Sequence, residues 1–316
     1  MPAFSASAPG KAILFGEHAV VYGKPAIAVP VRQVQAKVII RPNPKAQAGM
    51  IHVQAPAIGL DAPLSSLPAD HPLQVAIRLV LSHLQLTHAP ACTLRITSTI
   101  PLAAGLGSGA AVSVALMRSF SGFLGRPLLL EQISSLAFEV EKLYHGTPSG
   151  IDNTVVTYAR PIYFQRGLPI EIIQIPTPLT LVIGDTGIAS PTAQAVGDVR
   201  RAWQSDPPKF EKIFAGIGEL VREARTAIEN GQLARCGALM DANHTLLVEI
   251  GVSCPELDKL VETARSAGAL GAKLSGGGRG GNMIAMATTD TASEISSKLV
   301  EAGARATIIT QVEAKV

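Results

Sequence analysis

The feature that most constrains this chain is an uncharged, glycine-spaced ribbon, PLAAGLGSGAAVSVA, at residues 101–115. The stretch before it, CTLRITSTI, alternates. Cys92, Leu94, Ile96 and Ile100 point one way, with Ser98 the one polar member, and Thr93, Arg95, Thr97 and Thr99 point the other. Period two with β-branched residues predicts a half-buried strand, and Pro101 ends it. From Ala110 the run AAVSVALMRSFSGFL has good helix formers and no proline, and Gly125 with Pro127 stops it. The ribbon is therefore a glycine loop between a strand and a helix. The first turn of a helix leaves backbone N–H groups unpaired, and the helix dipole is positive there. Glycines let a phosphate approach that backbone with no Cβ in the way. A tight packing turn is the competing reading. The length of the loop, and Gly105, Gly107 and Gly109 alternating just before the helix, favour phosphate.

The ribbon is not the common nucleotide loop, because no Lys follows its glycines as GxxxxGK[ST] requires. A formal GxGxxG occurs at Gly276, Gly278 and Gly281 in KLSGGGRGGNMIAMA. The run after it, NMIAMAT, reads as a strand, where a dinucleotide fold needs a helix.

The whole chain narrows the classes. Its 316 residues exceed what one core usually needs, so two domains are expected. A 47% hydrophobic and 16% charged composition suits a compact enzyme and excludes a disordered chain. The net charge of +3, with no dense Lys/Arg run, gives no reason to expect nucleic acid. Cys92, Cys236 and Cys254 are far apart and form no CxxC pair, so neither a disulfide framework nor a zinc site is expected. No signal peptide is visible, and the ribbon is too short and glycine-dense for a span of about 20 apolar residues. A cytoplasmic protein with no membrane partner is the expectation.

Along the rest, 4–15 and 26–40 read as strands around GEHAVVYGKP. Residues 43–72 read as loops with one short strand, and 72–86 and 130–144 as helices, the latter stopped by Gly146. Residues 153–164 and 170–185 read as strands. Residues 207–230, 232–250 and 255–267 read as helices, followed by the second glycine loop. A strand (282–288), a helix (290–303) and a strand (305–313) complete the chain. The predicted class is α+β, with a boundary near 178 that gives domains 1–178 and 179–316.

Three stretches, SAPGKAILFGEHAVVYGKPAIA, IPLAAGLGSGAAVSVA and GAKLSGGGRGGNMIAM, resemble the three motifs of the GHMP kinases, galactokinase and homoserine kinase among them. They stand in the right order and spacing across nearly the whole chain. Within that superfamily, GEHAVVYG (16–23), HGTPSGIDNTV (145–155) and NHTLLVEIGVSCPELDKL (243–260) are most similar to the branch that acts on (R)-mevalonate. The resemblance implies ATP-dependent phosphorylation of a hydroxyl. It also implies an S5-like N-terminal domain, a ferredoxin-like C-terminal domain with a cleft between them, and a homodimer.

It implies roles as well. Asp152, which alone would read as a turn residue, resembles the carboxylate that takes the hydroxyl proton. Lys11, otherwise a solvated lysine, is expected near it, keeping it ionised. Pro101, Leu102, Ala103, Ala104, Gly105, Leu106, Gly107, Ser108, Gly109, Ala110 and Ala111 are expected to bind ATP. Glu141, rather than its neighbour Glu139, is expected to hold Mg2+, with Ser108 or a water assisting. Glu17 and His18 are expected to contact the hydroxy acid, His18 through its carboxylate or a hydroxyl. Thr186 and the loop Gly276, Gly277 and Gly278 are expected to reach substrate and phosphates. Family members commonly read GLGSSAA where this chain has GLGSGAA, so Gly109 replaces a hydroxyl that usually helps the metal. The third motif ends in Asn282 where GGC is common. The alternatives are a sibling kinase with a phosphorylated substrate and a non-catalytic sensor. Few cations beyond Lys11, Lys273 and Arg279 lie near the motifs, which disfavours the first. Retention of Lys11 and Asp152 disfavours the second.

Overall fold

The computed structural model describes residues 2–101, 105–145, 148–190 and 192–313, with backbone alone at 144 and 145. The packing gathers into two units. One holds residues 1–10, 34–101 and 107–159; the other holds 11–33, 102–106 and 160–316.

In the first unit, β1 (Phe4–Phe15) begins and β2 (Ala26–Pro42) ends. They are joined by β3 (Ile51–Ala55), β4 (Leu60–Pro63) and β5 (Cys92–Ser98). β5 pairs antiparallel with β2, from Ala36↔Ser98 to Pro42↔Cys92, and parallel with β3, which pairs antiparallel with β4. The stretch read as loops with one short strand thus holds two. The helices are α1 (Pro72–His83), α2 (Ser108–Phe123), α3 (Leu130–His145) and α4 (Ile151–Tyr158).

The small residues of the ribbon have a packing use in α2. Ala110, Ala111, Ser113, Val114 and Ala115 are buried, as are Leu116, Met117 and Phe120. Each large apolar side chain there contributes roughly 1.5–3 kcal/mol. The Ser119 hydroxyl, fully buried, donates to Val38 O at 2.9 Å, fastening α2 to β2. Arg118 donates to Ser7 O at 3.0 Å and also to Thr157 O, joining β1, α2 and α4.

The strand expected over 153–164 is a helix for most of its length, and only Ile162–Phe164 is extended. Gly150, at φ 96°, turns the chain into α4, and Thr154 Oγ1 donates to Gly150 O at 2.6 Å. The β-branched run TVVT misled the pattern: those residues are buried on a short helix, where packing overrides propensity. The helix stop expected at Gly146 lies outside the described residues.

The second unit begins with the end of β1 and the start of β2. β6 (Ile162–Phe164) pairs with Ala26–Ala28 of β2 and with β7 (Glu171–Ile172). The strand expected over 170–185 is therefore two, β7 and β8 (Leu179–Asp185). Then come α5 (Thr192–Ser205), α6 (Pro207–Glu229), α7 (Leu233–Glu249) and α8 (Pro255–Ser266). β9 (Gly271–Ser275), β10 (Asn282–Ala287), α9 (Ala292–Glu301) and β11 (Ala306–Val312) complete it. The sheet order β11-β8-β10-β9 is antiparallel throughout. One helical connection joins β8 to β9 and one joins β10 to β11. That is the βαββαβ ferredoxin-like pattern, as expected. α5 and β9 were not anticipated.

The outer edge of β9 is covered by α7. Asp241 Oδ1 accepts from Ala272 N at 2.8 Å, and His244 Nδ1 accepts from Leu274 N at 3.3 Å. Edge N–H groups left bare would invite foreign strands. The close approach needs two glycines, since a Cβ on Gly271 would lie 1.9 Å from Gly237 O.

Candidate functional site

The second unit contains the turn after β1. Gly16 has φ 96°, and a Cβ there would lie 2.6 Å from both Pro25 O and Ala26 Cα, so only glycine fits. His18 follows at φ 60°, ψ −52°, while Ala19 N donates to Glu17 O at 2.6 Å. This is a three-residue γ-turn of the positive-φ kind, rare and strained for a residue with a side chain.

The turn is fastened to β9 and its following loop. Lys273 Nζ donates to Glu17 Oε1 and, at 2.6 Å, to Leu274 O. His18 Nε2 bonds Gly277 O at 3.1 Å, and Ser275 Oγ donates to Ile13 O at 3.0 Å. Glu17 is 1% exposed and Lys273 fully buried. Burial raises the Glu17 carboxyl against the opposing pull of Lys273, and burial lowers the Lys273 ammonium.

Burial also lowers His18, to about 4, so the imidazole is neutral at neutral pH. A carbonyl only accepts, so the bond to Gly277 O fixes the proton on Nε2. What His18 then offers a ligand is the acceptor Nδ1. A neutral nitrogen of this kind accepts a hydrogen bond from a hydroxyl.

The loop after β9 is braced by the stretch after β8. Thr186 N and Oγ1 both donate to Gly281 O, at 2.9 and 2.8 Å. Gly281 N donates to Ile188 O at 2.8 Å, and Ser190 Oγ to Gly278 O at 2.8 Å. A Cβ on Gly277 would lie 2.7 Å from Thr192 Oγ1, and one on Gly278 would lie 1.9 Å from Val252 O. Protein atoms therefore fill the space those two glycines leave. Gly276 differs: it has φ 88° and its nearest neighbour would be Gly105 O at 3.9 Å. Arg279 pairs with Asp198 of α5.

Lys11 is 4% exposed rather than solvated, and its N donates to Leu106 O at 3.0 Å. Gly105 has φ 77°, and among the described residues no heavy atom lies within 4 Å of where its Cβ would stand. Leu102, Ala103 and Ala104 lie outside the described residues.

The remaining expected residues lie in the first unit. Pro101 ends its strand region. Gly107, at φ 73°, is the N-cap of α2, which begins at Ser108 with no capping side chain and no acidic residue in its first turn. Ser108 and Gly109 are half-buried in that turn, while Ala110 and Ala111 are buried. Glu141 of α3 is 3% exposed, whereas Glu139 is exposed and pairs with Lys142 at 2.7 Å. Asp152 stands half-buried in the first turn of α4. Asn153 beside it donates to Ser134 O and Oγ, both at 3.0 Å, anchoring α4 on α3.

Among the described residues no group of three or more His, Cys, Asp or Glu is gathered to hold a metal. No helix among them is long and apolar enough to cross a membrane.

Sequence reasoning noted Lys273 only as one of few nearby cations. The signal for its burial is GAKLSG: a strand of small and apolar residues with one lysine, which needs a carboxylate partner if it is buried.

The family model of the GHMP kinases N terminal domain matches residues 72–160, and that of the GHMP kinases C terminal region matches 224–305. A mevalonate kinase of Thermococcus gammatolerans is 38% identical over 316 residues, covering 94% of this chain and 93% of that protein. One from Pyrococcus horikoshii is 38% identical over 300 residues, covering 89% and 88%. The crystal structure of the L. major mevalonate kinase in complex with R-mevalonate superimposes with a TM-score of 0.84 at 33% identity, covering 99% of this chain and 96% of that one.

Proposed function

We infer the activity from one premise: the chain belongs to the mevalonate kinase family, within the GHMP kinases. It transfers the γ-phosphoryl group of ATP to the 5-hydroxyl of (R)-mevalonate, giving (R)-5-phosphomevalonate and ADP. The observation that carries this is the match to mevalonate kinases over nearly the whole length of both chains.

The residue roles are our proposal, resting on the motifs and supported by the local geometry. Asp152 accepts the hydroxyl proton as the oxygen bonds to phosphorus and the bond to ADP breaks. Lys11 keeps that carboxylate ionised. Residues 101–111 bind the ATP phosphates, an assignment supported by the uncapped start of α2 and the open Gly105. His18 Nδ1 accepts from a substrate hydroxyl. Glu17 belongs to the same turn through its buried carboxylate, and Thr186 with Gly276–Gly278 completes the substrate set through a braced loop.

Magnesium fits this set. Glu141 is a buried carboxylate, and a hard cation that keeps several waters needs only one or two such oxygens beside phosphate. Glu141, with the Ser108 hydroxyl, would hold it, and the ion would neutralise charge on the β- and γ-phosphates. A cytoplasmic homodimer goes with the proposal. So does a domain boundary near 178, with domains 1–178 and 179–316.

The test is ADP release over a panel: (R)-mevalonate, phosphomevalonate, galactose and homoserine. Turnover is expected with (R)-mevalonate alone. Preference for phosphomevalonate, or ADP release with none of the four, contradicts the reading.

A further inference from the structure

Lys273 is fully buried, and the motif reading leaves it without a role. A buried Lys–Glu pair is weak evidence of stabilisation, because desolvating both charges offsets their attraction and an apolar pair of like volume often serves as well. The position of the pair tells more. Segment 13–18 is tied to segment 273–277 at three points: Ile13 with Ser275, Glu17 with Lys273, and His18 with Gly277. The strained γ-turn centred on His18 contains the residues of the last two ties. Such a turn persists only where its surroundings over-determine it. Glu17 itself offers little to a ligand: Oε1 is taken by Lys273, and Oε2 is buried with no hydrogen-bond partner among the described residues. The Lys273 head group is held in turn by Leu274 O, on the strand that leads into the loop bonding His18.

We propose that Lys273 is a positioning residue that acts through Glu17, their buried pair pinning the γ-turn so that the His18 imidazole is aimed at the substrate hydroxyl. This rests on the reading of His18 as a substrate contact. Lys273 is fully buried, out of reach of a substrate, so its effect is expected to pass through His18.

The experiment compares Lys273→Met in wild-type and His18→Ala backgrounds. It measures KM for (R)-mevalonate and for ATP, together with the imidazole 15N signals of the ligand-free protein, the His18 signals being those absent from His18→Ala. Lys273→Met strands a buried carboxylate. Where it fails to fold, Glu17→Gln/Lys273→Met, which leaves no buried charge, carries the same test. The folded variant is expected to raise KM for mevalonate about tenfold or more, as misplaced binding groups do. KM for ATP should stay within about twofold, because uniform binding is lost to one substrate only. No further rise is expected in the His18→Ala background. The single Nε2–H tautomer of His18 should give way to an averaged one. Wild-type KM in a folded variant overturns the proposal, even if thermal stability falls. So does a KM increase that persists in full when His18 is already alanine. If the wild type fails to phosphorylate mevalonate, the functional reading is what has failed. The 15N signals then decide the positioning role of Lys273 alone, and an unchanged His18 tautomer overturns it.

Discussion

His18 carries two costs at once: a positive φ and a neutral imidazole held well below its ordinary pKa. Its folded pKa of about 4 lies under the unfolded value of 6.5, so the unfolded chain binds a proton first as pH falls. Stability from this group is thus present above about pH 6.5 and lost as pH falls toward 4. His18→Gln keeps an N–H near Nε2 and does not titrate. Between pH 7 and 4.5 the wild type should lose roughly 2 kcal/mol more than this variant, measured by urea unfolding. Equal losses would show that His18 is not buried neutral. Glu139 and Glu141 of α3 divide the same way. Glu141 is buried, while Glu139 pairs with Lys142 at the surface. Glu141→Gln should raise the magnesium needed for half-maximal rate about tenfold or more, and Glu139→Gln should leave it within about twofold. A like response from both would remove Glu141 from the metal site. The candidate residues were legible through the motifs that hold them: Asp152 alone reads as a turn residue and gains its role from the family resemblance, as Glu17 and His18 do in their glycine turn. The partner of Glu17 was not legible, since it lies 256 positions away and only the fold brings it near.

Helices and strands here answer to packing as much as to pattern. α6 contains Gly216 and Gly218 and α7 contains Gly237, none of them a cap or a turn. A Cβ on Gly216 would meet Leu246 Cδ1 at 3.6 Å, an ordinary contact, so Gly216→Ala should stabilise by about 1 kcal/mol through helix propensity. A Cβ on Gly237 would lie 2.1 Å from Leu270 O, so Gly237→Ala must push α7 off β9 and should destabilise by about 1–3 kcal/mol. Thermal unfolding of the two variants checks the opposite signs; stabilisation by both would mean that α7 does not seat on β9 backbone to backbone. The same packing explains where elements were misread. β9 is a short edge strand whose unpaired side is satisfied by Asp241 and His244 from a helix, so its five residues carry no alternation to read. α4 reads as strand because its β-branched residues face the interior of a helix. α2 and the strand before it were readable, since period-two alternation, a proline and a glycine loop occur in succession.

Across the whole molecule, three glycine-centred motifs in order identify the superfamily, because each glycine meets a backbone demand that few folds share. Gly16 has no room for a Cβ, Gly107 caps a helix at positive φ, and Gly278 abuts Val252 O. The ferredoxin-like type was expected from the strand–helix–strand pattern of the second half and from that resemblance, and the sheet order β11-β8-β10-β9 has it. What no motif could give was the bracing of the second glycine loop by Thr186, Ile188 and Ser190, in a stretch whose proline and polar residues carry no helical pattern before α5. Chemistry at the hydroxyl of one particular alcohol is the point on which the account stands. The most direct measurement is 31P NMR of the product formed from ATP and racemic mevalonate, by wild type and by Asp152→Asn. The account predicts a phosphomonoester coupled to the C5 methylene protons, consumption of the R enantiomer only, and a rate about 10²–10⁴-fold lower for Asp152→Asn, the size of a general-base contribution. A phosphate on any other oxygen, or Asp152→Asn turning over like the wild type, would contradict it.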